Sequence, residues 1–274
     1  MPFPWFRRRG GQPNAQNTAG GSWAPPASGP RASVRTGSGS AVSLDKMEQT
    51  APGLVSLYKA AGVSLDKHRL AGVRAAVYLV LDRSGSMSGF YRDGSVQALA
   101  ERVLAAAAHF DDDGVVPVVF FDSKAYNVEE ISLADYRGRV DKLHKKLGSM
   151  GTTNYVSAME AVIRHYQSCG ATDPAYVIFQ TDGSPDNEKR AEQTLCKAAG
   201  LPIFWQFVGF GNDQFKFLHR LDELPAPRYR VVDNAGFFEA GANPSRMSDE
   251  KLYDQLMIEF PEWLQSARRA GVLG

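Results

Sequence analysis

One stretch of sequence, AVYLVLDRSGSM at residues 76–87, decides the fold of this chain. Its first six residues are apolar and include β-branched side chains, which is typical of a strand buried on both faces of a parallel sheet. Asp82, Ser84 and Ser86 follow at the end of this strand, where open α/β sheets bind their ligands. Their oxygen atoms are hard donors, so the stretch indicates a site for Mg²⁺, with Mn²⁺ and Ca²⁺ as alternatives.

The segment DRSGS within this stretch resembles the Asp-x-Ser-x-Ser signature that opens the metal-ion-dependent adhesion site (MIDAS) of von Willebrand factor A (vWA) domains. That signature continues with a Thr in a later loop and an Asp after a later strand, and both residues are present here. The resemblance therefore implies five metal ligands: Asp82, Ser84, Ser86, Thr153 and Asp182. In vWA domains the aspartates act mainly through bound water, and one metal position stays open to a carboxylate from a partner protein.

The loop that carries Thr153 departs from the family pattern at one residue. Thr152 stands where related proteins usually have a second glycine, so either threonine is a candidate to face the metal. Thr153 is preferred because Asn154 and Tyr155 follow it as the motif expects. Each candidate ligand alone is also typical of a turn or a helix cap. Their common order and their placement at strand ends favour the metal site.

Further segments resemble the Ter-type subgroup of vWA proteins. The first, Gly62–Lys67, is similar to a segment of bacterial tellurium-resistance proteins. The others lie towards the end of the chain, at Phe204–Gly209, Val232–Ala235, Asp249–Tyr253 and Phe260–Leu264. The resemblance to TerF-like proteins thus extends from about residue 63 to residue 274. It implies a role in tellurium resistance or a stress response rather than that of an integrin-like adhesin.

The hydrophobic pattern predicts strands that alternate with helices. Strands are expected at residues 76–81, 115–121, 128–131, 175–180, 201–208 and 229–233. Helices are expected at residues 53–62, 96–110, 133–147, 156–166, 188–199 and 249–270, the first ending at Gly62 and the last with a kink at Pro261. This alternation predicts an α/β fold with a doubly wound, mostly parallel sheet. The resemblance adds that it is Rossmann-like with one antiparallel edge strand, for which the weak strand at 128–131 is the candidate.

The composition divides the chain into three parts. Residues 1–40 are rich in Gly, Pro, Ser and Arg and contain five arginines but no acidic residue, which predicts a disordered tail. Residues 41–70 are expected to form an N-terminal extension that packs on the domain, and residues 71–274 the vWA domain itself. The formal net charge of the whole chain is +1, which gives no support for nucleic-acid binding.

Cysteine usage and hydropathy bear on the compartment. Cys169 and Cys196 are the only cysteines, without a Cys-x-x-Cys motif, which suits two reduced thiols in a reducing compartment. The N-terminal residues lack the apolar core of a secretory signal peptide, and no apolar run reaches transmembrane length. We therefore expect a cytoplasmic protein without a membrane span.

An enzymatic function is the alternative to a binding function. Haloacid-dehalogenase-type phosphohydrolases and phosphotransferases also combine Mg²⁺ with an aspartate after the first strand, but they need a second carboxylate two residues later. Ser84 occupies that position here. The five histidines do not belong to a recognisable Ser or Cys nucleophile motif. The sequence thus favours a non-enzymatic protein that contacts another protein through a bound metal, with the Mg²⁺-dependent phosphohydrolase as the alternative.

Overall fold

The computed structural model of the chain describes residues 32–226 and 228–274, and a six-stranded sheet runs through this part. The strands lie in the order β3-β2-β1-β4-β5-β6. Their bounds are β1 (Ala76–Asp82), β2 (Val115–Phe121), β3 (Glu129–Ser132), β4 (Ala175–Thr181), β5 (Ile203–Phe210) and β6 (Ala235–Gly241). All pairings are parallel except that of β3 with β2 at one edge. The predicted α/β fold, mostly parallel with one antiparallel edge strand, is confirmed.

Helices cover both faces of the sheet in the described residues. They are α1 (Leu44–Thr50), α2 (Val55–Lys67), α3 (Ser88–Arg92), α4 (Ser95–Phe110), α5 (Arg139–Lys146), α6 (Tyr155–Ser168), α7 (Glu188–Ala198), α8 (Lys216–Asp222), α9 (Asp249–Met257) and α10 (Phe260–Arg269). Helices α2, α4, α9 and α10 contribute to the core on one face, and α6, α7 and α8 to the core on the other. None of these helices is both long enough and apolar enough to cross a membrane.

The central strand β1 is buried on both sides. Val77, Leu79 and Leu81 belong to the core on one face, whereas Tyr78 and Val80 belong to the core on the other. This alternation follows from the two-residue repeat of a strand. Strand β1 lies between β2 and β4. Its last residue therefore lies near the middle of the side of the sheet where the parallel strands end, which we call the carboxyl edge; the opposite side, where they begin, is the amino edge.

Residues 41–70, predicted to pack on the domain, form α1 and α2. Helix α2 contacts α4 and α9, and its Ser64 hydroxyl donates a hydrogen bond of 2.8 Å to Asp254 on α9. Helix α2 continues to Lys67, so the prediction that it ends at Gly62 was wrong. A Cβ at Gly62 would lie 3.1 Å from the Cε1 atom of His109. Gly62 therefore serves the close packing of α2 on α4 rather than the end of a helix.

Part of the predicted N-terminal tail is attached to the domain. Ala32 is buried, and the Ser33 amide donates a hydrogen bond of 3.1 Å to the Thr172 carbonyl. Thr36 forms an isolated antiparallel bridge with Val73. Within residues 32–40, the segment thus contacts the folded body at several points. The rest of the predicted tail, residues 1–31, lies outside the described residues.

The prediction of the last strand was wrong, because residues 229–233 are part of a loop and β6 follows at Ala235–Gly241. The side chain of Arg230 explains the loop: it is buried and donates hydrogen bonds of 3.1 and 3.0 Å to the carbonyls of Asp222 and Leu224. Strand β6 begins and ends near glycines, which have low strand propensity, so its sequence does not stand out.

Two helix predictions also change. The helix expected at 133–147 starts only at Arg139, because Gly138 before it has a left-handed φ of +61°. The helix expected at 249–270 is broken into α9 and α10, with Pro261 in the first turn of α10. Proline suits a first turn because its missing N–H has no helical partner there. Helix α8 was not predicted.

Both cysteines are free thiols, as expected.

Candidate metal centre

The candidate site lies at the carboxyl edge of β1 and β4. These strands are parallel neighbours, with Leu81 of β1 paired to Gln180 of β4. Asp82 is the last residue of β1, and Asp182 directly follows the last residue of β4. The sheet therefore brings together two carboxylates that are 100 positions apart in the sequence, at the edge where parallel sheets bind ligands.

Four of the five predicted ligands form one connected network of hydrogen bonds. The hydroxyl oxygens of Ser84 and Ser86 are 3.2 Å apart. The Ser86 hydroxyl also donates to Oδ1 of Asp182 at 2.9 Å. The Ser84 amide donates to Oδ1 of Asp82 at 2.7 Å. The structure thus places Asp82, Ser84, Ser86 and Asp182 together.

Asp82 is fully buried, and this determines its electrostatics. Burial raises the pKa of Asp82 to about 7, and the nearby carboxylate of Asp182 adds to the increase. Hydrogen bonds from the Ser84 amide and the Thr181 hydroxyl act in the opposite direction, the latter donating to Oδ2 at 2.7 Å. Thr181 was missed by the sequence analysis, although it directly precedes Asp182 at the end of β4.

The loop that carries Thr153, residues 148–154 (the threonine loop), pairs through its backbone with residues 83–87 (the serine loop). Gly151 forms a parallel bridge with Ser84, and the Gly85 amide donates to the Gly151 carbonyl at 3.0 Å. A Cβ at Gly151 would lie 2.5 Å from the hydroxyl oxygen of Ser123, so glycine lets this loop pack closely on the loop after β2. The backbone pairing thus joins the loop of Thr153 to the loop of Ser84 two residues before Thr153.

The two threonines of this loop differ in what their hydroxyls contact. The Thr152 hydroxyl donates to Oδ2 of Asp186 at 2.6 Å and lies 3.1 Å from the hydroxyl of Ser123. The Thr153 amide donates to Oδ1 of the same aspartate at 3.1 Å. Across residues 32–226 and 228–274, the Thr153 hydroxyl has no hydrogen-bond partner. This difference favours Thr153 as the residue whose hydroxyl is available to a metal.

Asp186 is a further residue whose role the sequence analysis did not recognise. It lies in the same loop as Asp182, and its two carboxylate oxygens hold the backbone and side chain of the threonine loop. The Asp186 amide also donates to the Thr153 carbonyl at 2.9 Å. The sequence feature that could have indicated this role is its position as a second carboxylate after β4, four residues beyond Asp182.

The two carboxylates of the site lack a cationic partner among residues 32–226 and 228–274. In the described part of the chain, Asp82 and Asp182 form no ion pair with Lys, Arg or His. Arg83 lies directly between the two motif residues Asp82 and Ser84, but it is paired with Asp122 at 2.6 Å. Burial raises the pKa of Asp182 as well.

The donor chemistry fits a small hard dication. Two carboxylates and neutral hydroxyls supply only oxygen atoms, as Mg²⁺, Mn²⁺ and Ca²⁺ prefer. No cluster of three or more His, Cys, Asp or Glu side chains suited to a metal occurs in the described ranges. None of the five predicted ligands supplies a nitrogen or sulfur atom from its side chain.

A family model described as the vWA domain found at the C terminus of TerF matches residues 74–273. The chain belongs to the TerF-like vWA family. Among its relatives is the uncharacterized protein YcbR of Bacillus subtilis strain 168. It is 36% identical over 219 residues, which cover 78% of this chain and 88% of YcbR. The vWA domain and the TerF-like subgroup suggested by the sequence are thus confirmed.

Solved structures with a similar fold include other vWA proteins. The manganese-loaded TRAP protein of Plasmodium vivax has a TM-score of 0.45 at 20% identity, covering 68% of this chain and 73% of that one. A von Willebrand factor type A protein of Catenulispora acidiphila has a TM-score of 0.46 at 15% identity, covering 69% and 43%. The mussel byssus proximal thread matrix protein 1 with a zinc-occupied MIDAS motif has a TM-score of 0.43 at 13% identity, covering 68% and 48%.

Proposed function

We propose that this vWA domain binds a divalent cation and through it holds a carboxylate of a partner protein. The observation that carries the proposal is the charge imbalance at the carboxyl edge of the sheet. Asp82 is fully buried beside Asp182, and within the described residues neither carboxylate has a cationic partner. An external cation is the simplest way to compensate them, because buried charges are otherwise paired or protonated.

The residues that would hold the cation are Asp82, Ser84, Ser86, Thr153 and Asp182. Ser84 and Ser86 offer neutral hydroxyl oxygens as direct ligands, and the two aspartates act mainly through bound water. The Thr153 hydroxyl binds directly or through water. With few charged ligands, the cation supplies an electrophilic position that a carboxylate oxygen from another protein can occupy.

The proposed metal is Mg²⁺, with Mn²⁺ and Ca²⁺ as alternatives, and the proposed setting is a cytoplasmic tellurium-resistance or stress-response system. The family name supports the setting. The TRAP neighbour is manganese-loaded, and the byssus neighbour has zinc at its MIDAS motif. We propose a binding protein rather than an enzyme. The haloacid-dehalogenase alternative is not favoured, because Ser84 stands where its second carboxylate would be.

Metal uptake is tested by calorimetric titration of the full chain with Mg²⁺ and with Mn²⁺. The variant Ser84→Ala/Ser86→Ala removes both hydroxyls and leaves the two carboxylates in place. Ser266→Ala on α10, a serine remote from this edge, is the matched control. We expect one site in the wild type and in the control, and none in the double variant. Absence of uptake by the wild type, or equal uptake by the double variant, would refute the proposal.

The partner contact is tested by pull-down with the same three proteins in Mn²⁺ and in excess chelator. Partners held through the metal are expected only with the wild type and the control, and only in Mn²⁺. Recovery of the same proteins by the double variant, or in chelator, would exclude a metal-mediated contact while leaving metal binding itself intact.

A further inference from the structure

Arg83 is a fully buried arginine inside the metal-binding motif. It lies between Asp82 and Ser84, and its side chain has 0% exposure. Transfer of a guanidinium from water to the protein interior costs several kcal/mol unless the group is paired and hydrogen-bonded. The partners of this side chain therefore indicate what the arginine is retained for.

The guanidinium of Arg83 contacts two other loops of the same edge. Its Nη1 donates to Oδ2 of Asp122, which directly follows β2, at 2.6 Å. The same nitrogen donates to the Ser149 carbonyl at 3.1 Å, and Nη2 donates to the Gly148 carbonyl at 2.8 Å. Gly148 and Ser149 begin the loop that leads to Thr153. One side chain thus connects the serine loop, the loop after β2 and the threonine loop.

Asp122 holds the other end of the threonine loop. Its carbonyl accepts a hydrogen bond of 2.8 Å from the Asn154 amide, directly after Thr153. The carboxylate of Asp122 accepts from the Tyr126 hydroxyl at 2.8 Å, and this hydroxyl lies 2.9 Å from Nη1 of Arg83. The Arg83–Asp122 pair therefore fixes the threonine loop at residues 148–149 and at residue 154, on both sides of Thr153.

We propose that Arg83 is a positioning residue of the metal centre, setting the place of the Thr153 hydroxyl relative to Ser84 and Ser86. This inference rests on the proposed function and extends it to a residue that does not touch the metal. A planar fork of donors serves one carboxylate and two carbonyls at once, which the single ammonium of lysine does not reproduce. Residues that orient metal ligands in this way typically change metal affinity about 10- to 100-fold when replaced.

A matched control lies at the opposite edge of the sheet. Arg230 also has a side chain with 0% exposure, is paired with Asp233 at 2.8 Å and donates to two backbone carbonyls. It precedes β6, which is parallel to β5, so it lies at the amino edge, away from Asp82. Loss of Arg230 removes the same kinds of contact without touching the loops of the metal centre.

The experiment measures the Kd for Mn²⁺ alone and the metal-free Tm of four full-length proteins: wild type, Arg83→Met, Arg83→Lys and Arg230→Met. We expect both methionine variants to have a lower Tm. The Kd is expected to rise about 10- to 100-fold in Arg83→Met and Arg83→Lys. In Arg230→Met the Kd stays within about 2-fold of the wild type, because, in the described part of the chain, Arg230 does not contact the loops that carry the proposed ligands.

The outcomes separate this inference from the proposed function. If the wild type binds Mn²⁺ and both Arg83 variants bind it equally well, the positioning role is wrong and the metal site stands. An equal loss of affinity in Arg230→Met would also overturn it, because the effect would then follow stability alone. If the wild type takes up no Mn²⁺, the proposed function fails and this inference with it. Should Arg83→Met not fold, Arg83→Lys gives the same comparison with the charge retained.

Discussion

Two buried arginines lie at opposite edges of the sheet, and their surroundings differ. Among the described residues, Arg83 at the carboxyl edge has one carboxylate partner, Asp122. Arg230 at the amino edge is paired with Asp233 and lies close enough to Asp222 and Glu259 for their charges to act on it. The amino edge therefore provides a cation for its own carboxylates. The carboxyl edge uses its cation to fix loops, and among the described residues Asp82 and Asp182 have no cationic partner.

Protons provide the second means of charge balance at the amino edge. Burial, followed by repulsion from Asp222 and Asp233, raises the pKa of Glu259 to about 8. Burial likewise raises the pKa of Asp222 to about 6. The proposed metal site is therefore supported by carboxylates that lack a cationic partner among the described residues and lie beside hydroxyl groups, rather than by buried carboxylates alone.

The largest expected effect separates the two ion pairs by their burial. Asp122→Ala leaves the Arg83 guanidinium buried without its carboxylate, so we expect a loss of about 3–5 kcal/mol in the free energy of unfolding. Asp233→Ala is expected to cost only about 1 kcal/mol, because partly exposed ion pairs are worth little. The side-chain exposures of the two aspartates are 4% and 56%. Guanidinium-induced unfolding of metal-free protein at pH 7 measures both, and equal losses would contradict the comparison.

The next effect concerns the pH dependence that Glu259 imposes on stability. Its carboxyl faces Gly236 of β6, where a Cβ would lie 2.7 Å from it, and its charged neighbours are Asp222, Asp233 and Arg230. Since the pKa is about 8 in the folded chain and near that of a free glutamate when unfolded, the folded chain retains a proton that the unfolded chain loses. The contribution of Glu259 therefore makes the free energy of unfolding higher at pH 5, and this contribution is lost as the pH rises to 8.

Glu259→Gln removes this titration. Between pH 5 and pH 8, we expect the free energy of unfolding to fall by about 2 kcal/mol less in the variant than in the wild type. The measurement is urea unfolding at both pH values in the wild type and the variant, without metal. The control is Glu250→Gln, an exposed position in the first turn of α9. An unchanged pH dependence in Glu259→Gln would show that this edge is balanced by Arg230 alone.

The two threonines of the carboxyl edge give a smaller effect, measured on the metal. Thr153→Ala removes the hydroxyl that has no partner among the described residues, and we expect the Kd for Mn²⁺ to rise about 10-fold. Thr152→Ala removes a hydroxyl bound to Asp186 and is expected to change the Kd less than about 3-fold, because the backbone contact of Thr153 to Asp186 remains. Calorimetric titration compares the two, and the reverse order would assign the metal-facing role to Thr152.

Four of the five predicted ligands lie at or just after the ends of β1 and β4, so the sequence could predict that they meet at one edge. Thr153 lies in the loop before α6 and was expected only from the resemblance to the vWA motif. The apolar runs before Asp82 and Asp182 define buried parallel strands, and parallel strands bring their carboxyl ends to one edge. The role of Arg83 could not be predicted in this way. Its partners at Asp122 and Gly148 lie 39 and 65 positions away, and the same arginine in isolation is typical of a solvated loop.

The elements that escaped prediction have physical reasons in the chain. Strand β6 contains Gly236 because the carboxyl of Glu259 occupies the space of a side chain, and the glycine hides the strand pattern. Helix α8 is preceded by Phe215, a non-glycine residue with a left-handed φ of +45°. The ring of Phe215 fills the space beside Gly209, where a Cβ would lie 2.9 Å from it. Both features depend on tertiary contacts that local patterns do not contain.

The smallest effect tests whether the carboxyl edge is destabilised by its own charge. Asp182→Asn keeps an oxygen that accepts from the Ser86 hydroxyl, 2.9 Å away, and removes the charge that acts on buried Asp82. We expect the metal-free variant to be more stable than the wild type by about 0.5 kcal/mol at pH 8, because like charges at one site disfavour each other.

Asp186→Asn is the matched control at the same loop. Both carboxylate oxygens of Asp186 accept hydrogen bonds from the threonine loop, and an asparagine retains only one accepting oxygen, so this variant is expected to lose stability. Urea unfolding in chelator compares the two. If Asp182→Asn also loses stability, the carboxylate is held for the fold rather than for a cation. The proposal is supported if only Asp182→Asn is more stable than the wild type in chelator, and if the wild type becomes the more stable protein in Mn²⁺. The carboxyl edge would then be the one that depends on an ion from outside the protein.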